Sequence, residues 1–384
     1  MKPMEESFIA LDFGSGQISA VLTSYDEKTG TCRVRHATRK QCPSISACYI
    51  LDFDRTVRAV AEVLDEMTQY SQLNPTFVVG LRGEFISFRR SSGYRTLNPQ
   101  QVIEESDVNA VLDEAFPQNL GEELEAVHMI PQCFILDGKS GVKPVGLSGN
   151  WLEVETFVSC AMSGPLNNLN RVMTAVGYED FEGVPAVLAL CDTLLKPEEK
   201  NGRTLLLDLG AQHSSAALYQ KGILEAAWEF AFGAEQIAQE VAEVLQNELS
   251  EAKQWLKNYE YGEDEVLDDV LDEAAKNLMR KYHKEFTQSL SYVKHPPQLI
   301  VLTGGGANVP LKNAAKEVLS ARRARLGTHD DLIADSEDLL APAYTSALSL
   351  ALYSQIHGEH SLRSPAPNRM QGLFDKVLAK FGIN

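Results

Sequence analysis

Two stretches of this chain are built to one plan. "FIALDFGSGQISAVLTSYDEKTGTCRVRHATRK", from Phe8, and "GRTLLLDLGAQHSSAALYQKGILEAAWEFAF", from Gly202, each read as strand, glycine turn, strand, turn, strand. In both, the opening strand ends in Asp-x-Gly, as Asp12 to Gly14 and Asp208 to Gly210. A supersecondary unit used twice implies two similar halves, which constrains the fold more than any single motif does. Helical periodicity follows each meander. "RTVRAVAEVLDEMTQYSQLN" puts Val57, Val60, Val63, Leu64 and Met67 on one face, and "GAEQIAQEVAEVL" follows the second unit. The expected class is α/β, a duplicated core of two domains around a cleft.

Between the halves, "TFVVGLRGEFISFRRSSGYRTL" returns to strand and "SDVNAVLDEAF" reads as a short helix with Ser106 as its cap. "EAVHMIPQCFILDGKSGVKPVGLSGNWLEVETFVSCAM" is strand, glycine-rich turn and strand, and "GPLNNLNRVMTAVGY" is a helix ending at Gly177. Beyond the second meander lie an acidic helical region, "GEDEVLDDVLDEAAKNLMRKYHKEFTQSL", and "QLIVLTGGGANVPLKNAAKEVL", a buried strand, a triple-glycine turn and a helix. After Tyr353 the chain turns polar and proline-bearing, as a flexible linker does.

The last segment is periodic again. Met370, Leu373, Phe374, Val377, Leu378 and Phe381 form one helical stripe, flanked by Arg369, Lys376 and Lys380. A basic amphipathic helix on a linker suits an anionic bilayer surface. The other reading is a helix docked on its own domain or on a partner.

The net charge of −18 over 384 residues disfavours a nucleic-acid surface, because phosphate would be repelled. Six cysteines stand at 32, 42, 48, 133, 160 and 191 with no CxxC pair and no histidine set to complete a zinc site. They read as free thiols in a reducing compartment. The first residues carry no apolar core with a cleavage site, and no run approaches the roughly 20 apolar residues of a membrane span. The expectation is a cytoplasmic protein, peripheral on the inner face of the membrane.

Three glycine turns carry the candidate chemistry: "DFGSGQ" at 12–17, "DLGAQH" at 208–213 and "TGGGAN" at 303–308. Backbone amides converge on an anion where no Cβ blocks the approach, so two facing hairpins can clamp a phosphate chain. An aspartate just before such a turn can hold Mg²⁺ through water or position the attacking water. A strand, paired glycines and a helix N-terminus suit the nucleoside end. The plainer reading makes Asp12 and Asp208 caps of their strand ends. A lone histidine in a turn, as His213 is, ordinarily faces solvent or makes one hydrogen bond, against the alternative of donating to a phosphate oxygen.

In this order the loops resemble the phosphate-one, phosphate-two and adenosine loops of the actin, sugar-kinase and chaperone ATPase superfamily. "HMIPQCFILDGKSGVKPVGLSGNWLEV", His128 to Val154, narrows it: the stretch resembles the inserted subdomain, called 1C, of the bacterial division protein family FtsA. "VVGLRGEFISFRRSSG", "ESDVNAVLDEA" and "APAYTSALSLALY" are similar to neighbouring and closing segments of that family, so the resemblance covers essentially the whole chain. It implies an actin-like duplicated ribonuclease-H-type core with an FtsA-type 1C subdomain. Subdomain 1A would span 1–76, 157–200 and 339–358, and 1C would span 77–156. Subdomain 2A would take 201–232 and 296–338, and 2B would take 233–295. A linker at 359–368 and a membrane-targeting helix at 369–384 would follow.

The resemblance further implies ATP or ADP with Mg²⁺. Nucleotide contacts would come from Gly14, Ser15, Gly16, Gln17, Gly210, Ala211, Gln212, His213, Gly233, Lys253, Gly304, Gly305 and Gly306, with Asp12 and Asp208 as catalytic and metal-holding carboxylates. Glu251 and Lys257 are further candidates near the ribose. Implied partners are the FtsZ C-terminal tail at 2B, other copies of the chain in filaments, further division proteins and the membrane, with no nucleic acid.

The chain departs from the family at the phosphate loops. Gln17 stands for a lysine, and Ala211, Gln212, His213 and Ser215 stand for Gly, Gly, Thr and Asp. Lost charge at Gln17 and Ser215 predicts nucleotide binding with at most weak hydrolysis. The function implied is an ATP-binding, polymerising adaptor that tethers the FtsZ ring to the membrane. The alternatives are a pilus or secretion adaptor like PilM, or an active ATPase or kinase of the same superfamily.

Overall fold

Apolar runs bounded by glycine turns form the strands, and the structure, a computed structural model, describes residues 5–26, 29–71, 74–117, 119–288, 295–329 and 332–357. The expected linker and amphipathic stripe, with Met370, Leu373, Phe374, Val377, Leu378 and Phe381, lie outside the described residues.

The first meander, Glu5–Gly14, Gln17–Asp26 and Thr31–Gln41, forms the centre of a six-stranded sheet. Thr76–Leu81 adds parallel to Glu5–Gly14, and Phe181–Pro185 adds parallel beyond it. The second meander, Arg203–Leu209, Ser214–Gln220 and Ile223–Phe230, repeats the order in a five-stranded sheet. There Leu299–Thr303 and Arg323–Leu326 take the places of the two parallel strands. Leu205, Leu206 and Leu207 have no exposed surface. A strand covered on both faces reads as a continuous apolar run rather than an alternating one, and each such leucine contributes about 2 kcal/mol.

Two helices join the halves. Ala186–Leu194, "AVLALCDTL", is apolar over most of its surface and buried except at Asp192 and Thr193. Its Ala189 packs with Phe8 and Ala10 of the first sheet, while Val187 and Leu190 pack with Leu206 and Val301 of the second. Thr345–His357 lies beside it, with Leu350 and Ala351 in the first sheet's core.

The segment after Leu81 forms a separate four-stranded sheet in the order Ile86–Thr96, Trp151–Met162, Leu124–Leu136, Lys139–Ser140. The helix Glu105–Ala115 covers one face, with Val108, Val111 and Leu112 in a core of its own. Gly93 lets that helix lie flat on the sheet, since a Cβ there would sit 2.2 Å from the Val111 carbonyl oxygen. Ser106 is not the cap of this helix. Glu104 precedes it, and its amide donates to the Asp107 carboxylate at 3.1 Å, the acidic residue winning over the hydroxyl because it sits one turn in. The expected helix end at Gly177 holds: Ser163–Ala175 closes just before it, and Gly177 adopts φ +90°. All six cysteines are free thiols, with Cys42, Cys48, Cys160 and Cys191 buried and Cys32 and Cys133 half-buried.

Candidate functional site

The carboxyl ends of the parallel strands from both sheets meet at one cleft, where open α/β sheets place their ligand sites. Asp12 and Asp208 occupy matching places: each lies two residues before its hairpin glycine and opposite a serine, Ser19 or Ser215. Both side chains are buried. A residue not singled out in the sequence lies between them. Arg82, one step beyond the strand Thr76–Leu81, is 7% exposed. Its Nη2 donates to Asp208 Oδ2 at 3.1 Å and to Ser346 Oγ at 2.5 Å. Its Nε lies 3.0 Å from Asp12 Oδ1, an ion-pair contact out of line for a hydrogen bond. One guanidinium thus bridges the two candidate metal carboxylates and ties the helix Thr345–His357 to both halves.

Burial raises the Asp12 pKa above the usual carboxylate range, and the nearby Asp208 charge adds to this, while Arg82 offsets only part of it. Burial alone would lower the Arg82 pKa, but the two aspartates outweigh it and hold the guanidinium charged.

A second buried pair flanks the first. His213 Nε2 lies 2.6 Å from Glu229 Oε2, and the same carboxylate accepts from the Gly83 amide at 3.3 Å. Burial would lower the His213 pKa, but the Cys48 sulfur and Glu229 outweigh it and raise the imidazole to about 10. Burial in turn raises Glu229, with His213 working against it. The 2.6 Å contact fits an imidazolium facing a carboxylate. His213 therefore points into the protein as an ion-pair partner rather than toward solvent. Cys48 carries φ +69°, a conformation that costs an ordinary side chain about 1–2 kcal/mol.

The loops are held by their own backbone. The Gly16 amide donates to the Ile45 carbonyl at 2.8 Å, and Gly16 oxygen accepts from the Cys42 amide at 2.8 Å. Gly14 and Gln17 close the hairpin, with Ser15 between them half-buried. In the second loop, the Ala234 and Glu235 amides at the start of the helix Glu235–Leu245 donate to the Gly210 and Ala211 carbonyls, each at 2.9 Å. The Gly16, Ala234 and Glu235 amides are thus engaged within the protein. Gln212 Oε1 accepts from Ser46 Oγ at 3.2 Å, which links the second loop to the first half. Ser215 is fully buried, and its hydroxyl has no hydrogen-bond partner among the described residues.

The third loop packs against the second. Gly304 adopts φ +90°, and a Cβ there would fall 2.4 Å from Asp208 Oδ1. At Gly233 it would fall 2.2 Å from the Gly210 oxygen. The Gly306 amide donates to Leu209 oxygen at 2.8 Å, while Gly305 and Gly16 face open space. Lys253 is exposed and pairs with Glu235, two residues beyond Gly233.

The residues do not fit the expected magnesium. Arg82 already lies between Asp12 and Asp208 and sets a positive charge against both carboxylates, and no group of three or more His, Cys, Asp or Glu among the described residues is arranged to hold a metal. The tips at Gly16 and Gly305 are open, with no atom within 4 Å of where a Cβ would stand. Arg82 and Glu229 left traces in the sequence: a lone arginine closing an apolar run in "VVGLRG", and a lone acid inside "AAWEFAF".

Residues 83–159 match the family described as "SHS2 domain inserted in FTSA", which is the segment forming the four-stranded sheet. The chain is 24% identical over 375 residues to the cell division protein FtsA of Enterococcus hirae, covering 90% of this chain and 83% of that one. Among solved structures, a chain of the PilM–PilN type IV pilus biogenesis complex superposes with a TM-score of 0.64 at 16% identity, covering 90% of this chain and 97% of that chain. MreB5 of Spiroplasma citri bound to ADP superposes with a TM-score of 0.50 at 10% identity, over 91% of this chain and 96% of that chain. The duplicated core with its interdomain cleft is the fold of the actin-like ATPases. Within that class, the chain is similar over most of its length to the bacterial cell-division protein FtsA, and residues 83–159 match the domain inserted in FtsA.

Proposed function

We propose that this protein is an actin-like cytoskeletal adaptor of cell division, which polymerises and tethers the FtsZ ring to the inner face of the cytoplasmic membrane. The observation that carries the reading is the inserted domain and its seating. Its Gln132 accepts from the Leu224 amide at 2.8 Å, its Arg90 pairs with Glu225 at 3.0 Å, and its His128 meets Tyr353 Oη at 2.8 Å. The insertion is thus built into both halves of the core, in a chain similar to FtsA over 90% of its length.

Adenine nucleotide, ATP or ADP, is placed in this proposal between the loops at 14–17, 210–213 and 304–306, with Gly233 and Lys253 on the nucleoside side. The likeness to an MreB5 structure bound to ADP supports this at the level of the fold. The helical segment from Glu235 to Phe286 is the proposed seat of the FtsZ tail. Membrane attachment is assigned to the stripe from Met370 to Phe381; no helix among the described residues is long and apolar enough to cross a membrane. The buried Arg82 speaks against an active ATPase or kinase, which would need those carboxylates free.

Liposome flotation and co-sedimentation with FtsZ test the proposal. The parent should float with anionic vesicles and carry FtsZ with it, more strongly as filaments than as monomers, because many weak tails act together. Phe374→Glu with Leu378→Glu should abolish flotation and leave FtsZ co-sedimentation intact. A double variant that floats like the parent removes the membrane role, and a parent that ignores FtsZ while binding a pilus partner replaces the adaptor reading with the PilM-like one.

A further inference from the structure

The metal position of this cleft is not vacant chemistry but substituted chemistry. A divalent ion held between two aspartates supplies positive charge, draws two domains together and fixes their carboxylates. Each of those tasks has an agent on this chain. Arg82 presents two nitrogens on one rigid fork, at 3.0 Å from Asp12 and 3.1 Å from Asp208. Ser346 Oγ holds the same Nη2 from the start of the helix Thr345–His357, at 2.5 Å. The side-chain exposures of 7% for Arg82, 10% for Asp12 and 3% for Asp208 leave the pairs shielded from solvent.

Arginine suits the place better than lysine, because its planar fork reaches two acceptors at once and it carries its charge at any accessible pH. Its position in the chain matters too. It follows a strand of the first half, so the fork stays on that half while its second partner, Asp208, belongs to the other.

We propose that Arg82 is a built-in counter-cation that stands in for the divalent metal of the actin-like cleft, so that the two halves are held together without a metal ion. The inference concerns the cleft alone and does not depend on FtsZ or membrane binding. It has a direct corollary: Asp12 and Asp208 form a latent cation site that is exposed by removing one side chain. Gly304, whose missing Cβ leaves room beside Asp208 Oδ1, keeps that site uncrowded on the other side.

The test is Mn²⁺ binding to the full chain, read from the loss of the free-ion EPR signal, with and without ATP. The surface carries many carboxylates, so weak binding will be common to all variants. The parent should show no tight equivalent that depends on Asp208. Arg82→Ser should gain one, at least about tenfold tighter than the surface sites, and Arg82→Ser with Asp208→Asn should lose it again. Thermal unfolding gives a second readout: Mn²⁺ or Mg²⁺ should raise the midpoint of Arg82→Ser, while neither the ions nor EDTA should move that of the parent. Arg82→Gln removes the charge but keeps part of the side chain's bulk and polarity, and carries the same test should Arg82→Ser not fold. A tight equivalent in the parent that Asp208→Asn abolishes overturns the proposal. So does a folded Arg82 variant that gains no tight equivalent.

Discussion

The two hairpins that face each other across the cleft share a backbone and differ in chemistry. The first, from Asp12 to Gln17, keeps an open glycine tip and fastens itself to the neighbouring 42–45 segment through Gly16. The second, from Asp208 to His213, has filled its tip with side chains. His213 turns inward onto Glu229, and Gln212 reaches across to Ser46. The aspartates differ as well: Arg82 makes an aligned hydrogen bond to Asp208 but only an off-line ion contact with Asp12. Duplication preserved the scaffold that brings strand ends together, and single side chains decided what the cleft can do. The first hairpin keeps its tip open, while the second adds side-chain contacts to its own meander and to the other half.

That contrast predicts unequal losses. Removing one partner of a buried ion pair leaves an unpaired charge and costs about 3–5 kcal/mol. Asp208→Ala should fall in that range in urea unfolding at neutral pH. Asp12→Ala should cost less, about 1–2 kcal/mol, since its contact is off-line and burial already opposes its charge. Equal losses would break the comparison, because the two aspartates would then be interchangeable ends of one clamp.

The glycines sharpen it. Gly304→Ala combines φ +90° with a Cβ 2.4 Å from Asp208 Oδ1. It should cost about 2–3 kcal/mol from backbone strain and overpacking. Gly16→Ala has φ +74° but open space around it, so only the backbone term remains. That term is about 1 kcal/mol. Thermal unfolding of the two variants side by side measures the difference between a packed turn and an open one.

The His213–Glu229 pair gives the second hairpin an alkaline signature that the first lacks. The folded pKa of His213, about 10, lies above the ordinary histidine value of 6.5. Its contribution is therefore fully present below about pH 6.5 and is lost as pH rises toward 10, because the unfolded chain gives up its proton first. Stability should fall over that interval by more than about 1 kcal/mol. His213→Gln should flatten the slope, as followed by denaturant midpoints between neutral and alkaline pH. A slope unchanged in His213→Gln would place the alkaline loss elsewhere.

Much of this was legible before any coordinates. The duplicated meanders, the matched Asp12 and Asp208, the three glycine loops and the inserted strand pair all follow from local patterns: alternation, glycine position and repeat spacing. The clamp did not, because it depends on contacts between residues 126 and 264 positions apart, Arg82 with Asp208 and with Ser346. Periodicity marks Arg82 as the first polar residue after a strand. It says nothing of what faces that strand end once two domains close. Ser106 failed as a cap for a nearer reason: hydroxyl and carboxylate candidates sat within three residues of one another, and only the helix's actual start decides between them. His213 was assigned to a solvent-facing turn or a phosphate because its partner Glu229 lies on the far strand of the meander.

The smallest effect tests whether the second hairpin still serves a ligand. Gln212 stands where the resemblance to the FtsA family implies glycine, and its Oε1 accepts from Ser46 Oγ at 3.2 Å across the cleft. A single neutral hydrogen bond of this kind contributes about 0.5–1 kcal/mol. Gln212→Ala should lose that amount and leave nucleotide affinity unchanged, since its carbonyl group is turned to Ser46 and not to an anion. Gln212→Gly should lose slightly more stability through backbone entropy, yet bind ATP more tightly, because removing the side chain lets the loop approach phosphate more closely. Equilibrium titration with ATP beside urea unfolding reads both quantities on the same preparations. Were Gln212→Ala to weaken ATP binding while stability stayed put, Gln212 would be a ligand contact, and the second hairpin would have to be counted with the first as an open, nucleotide-facing loop.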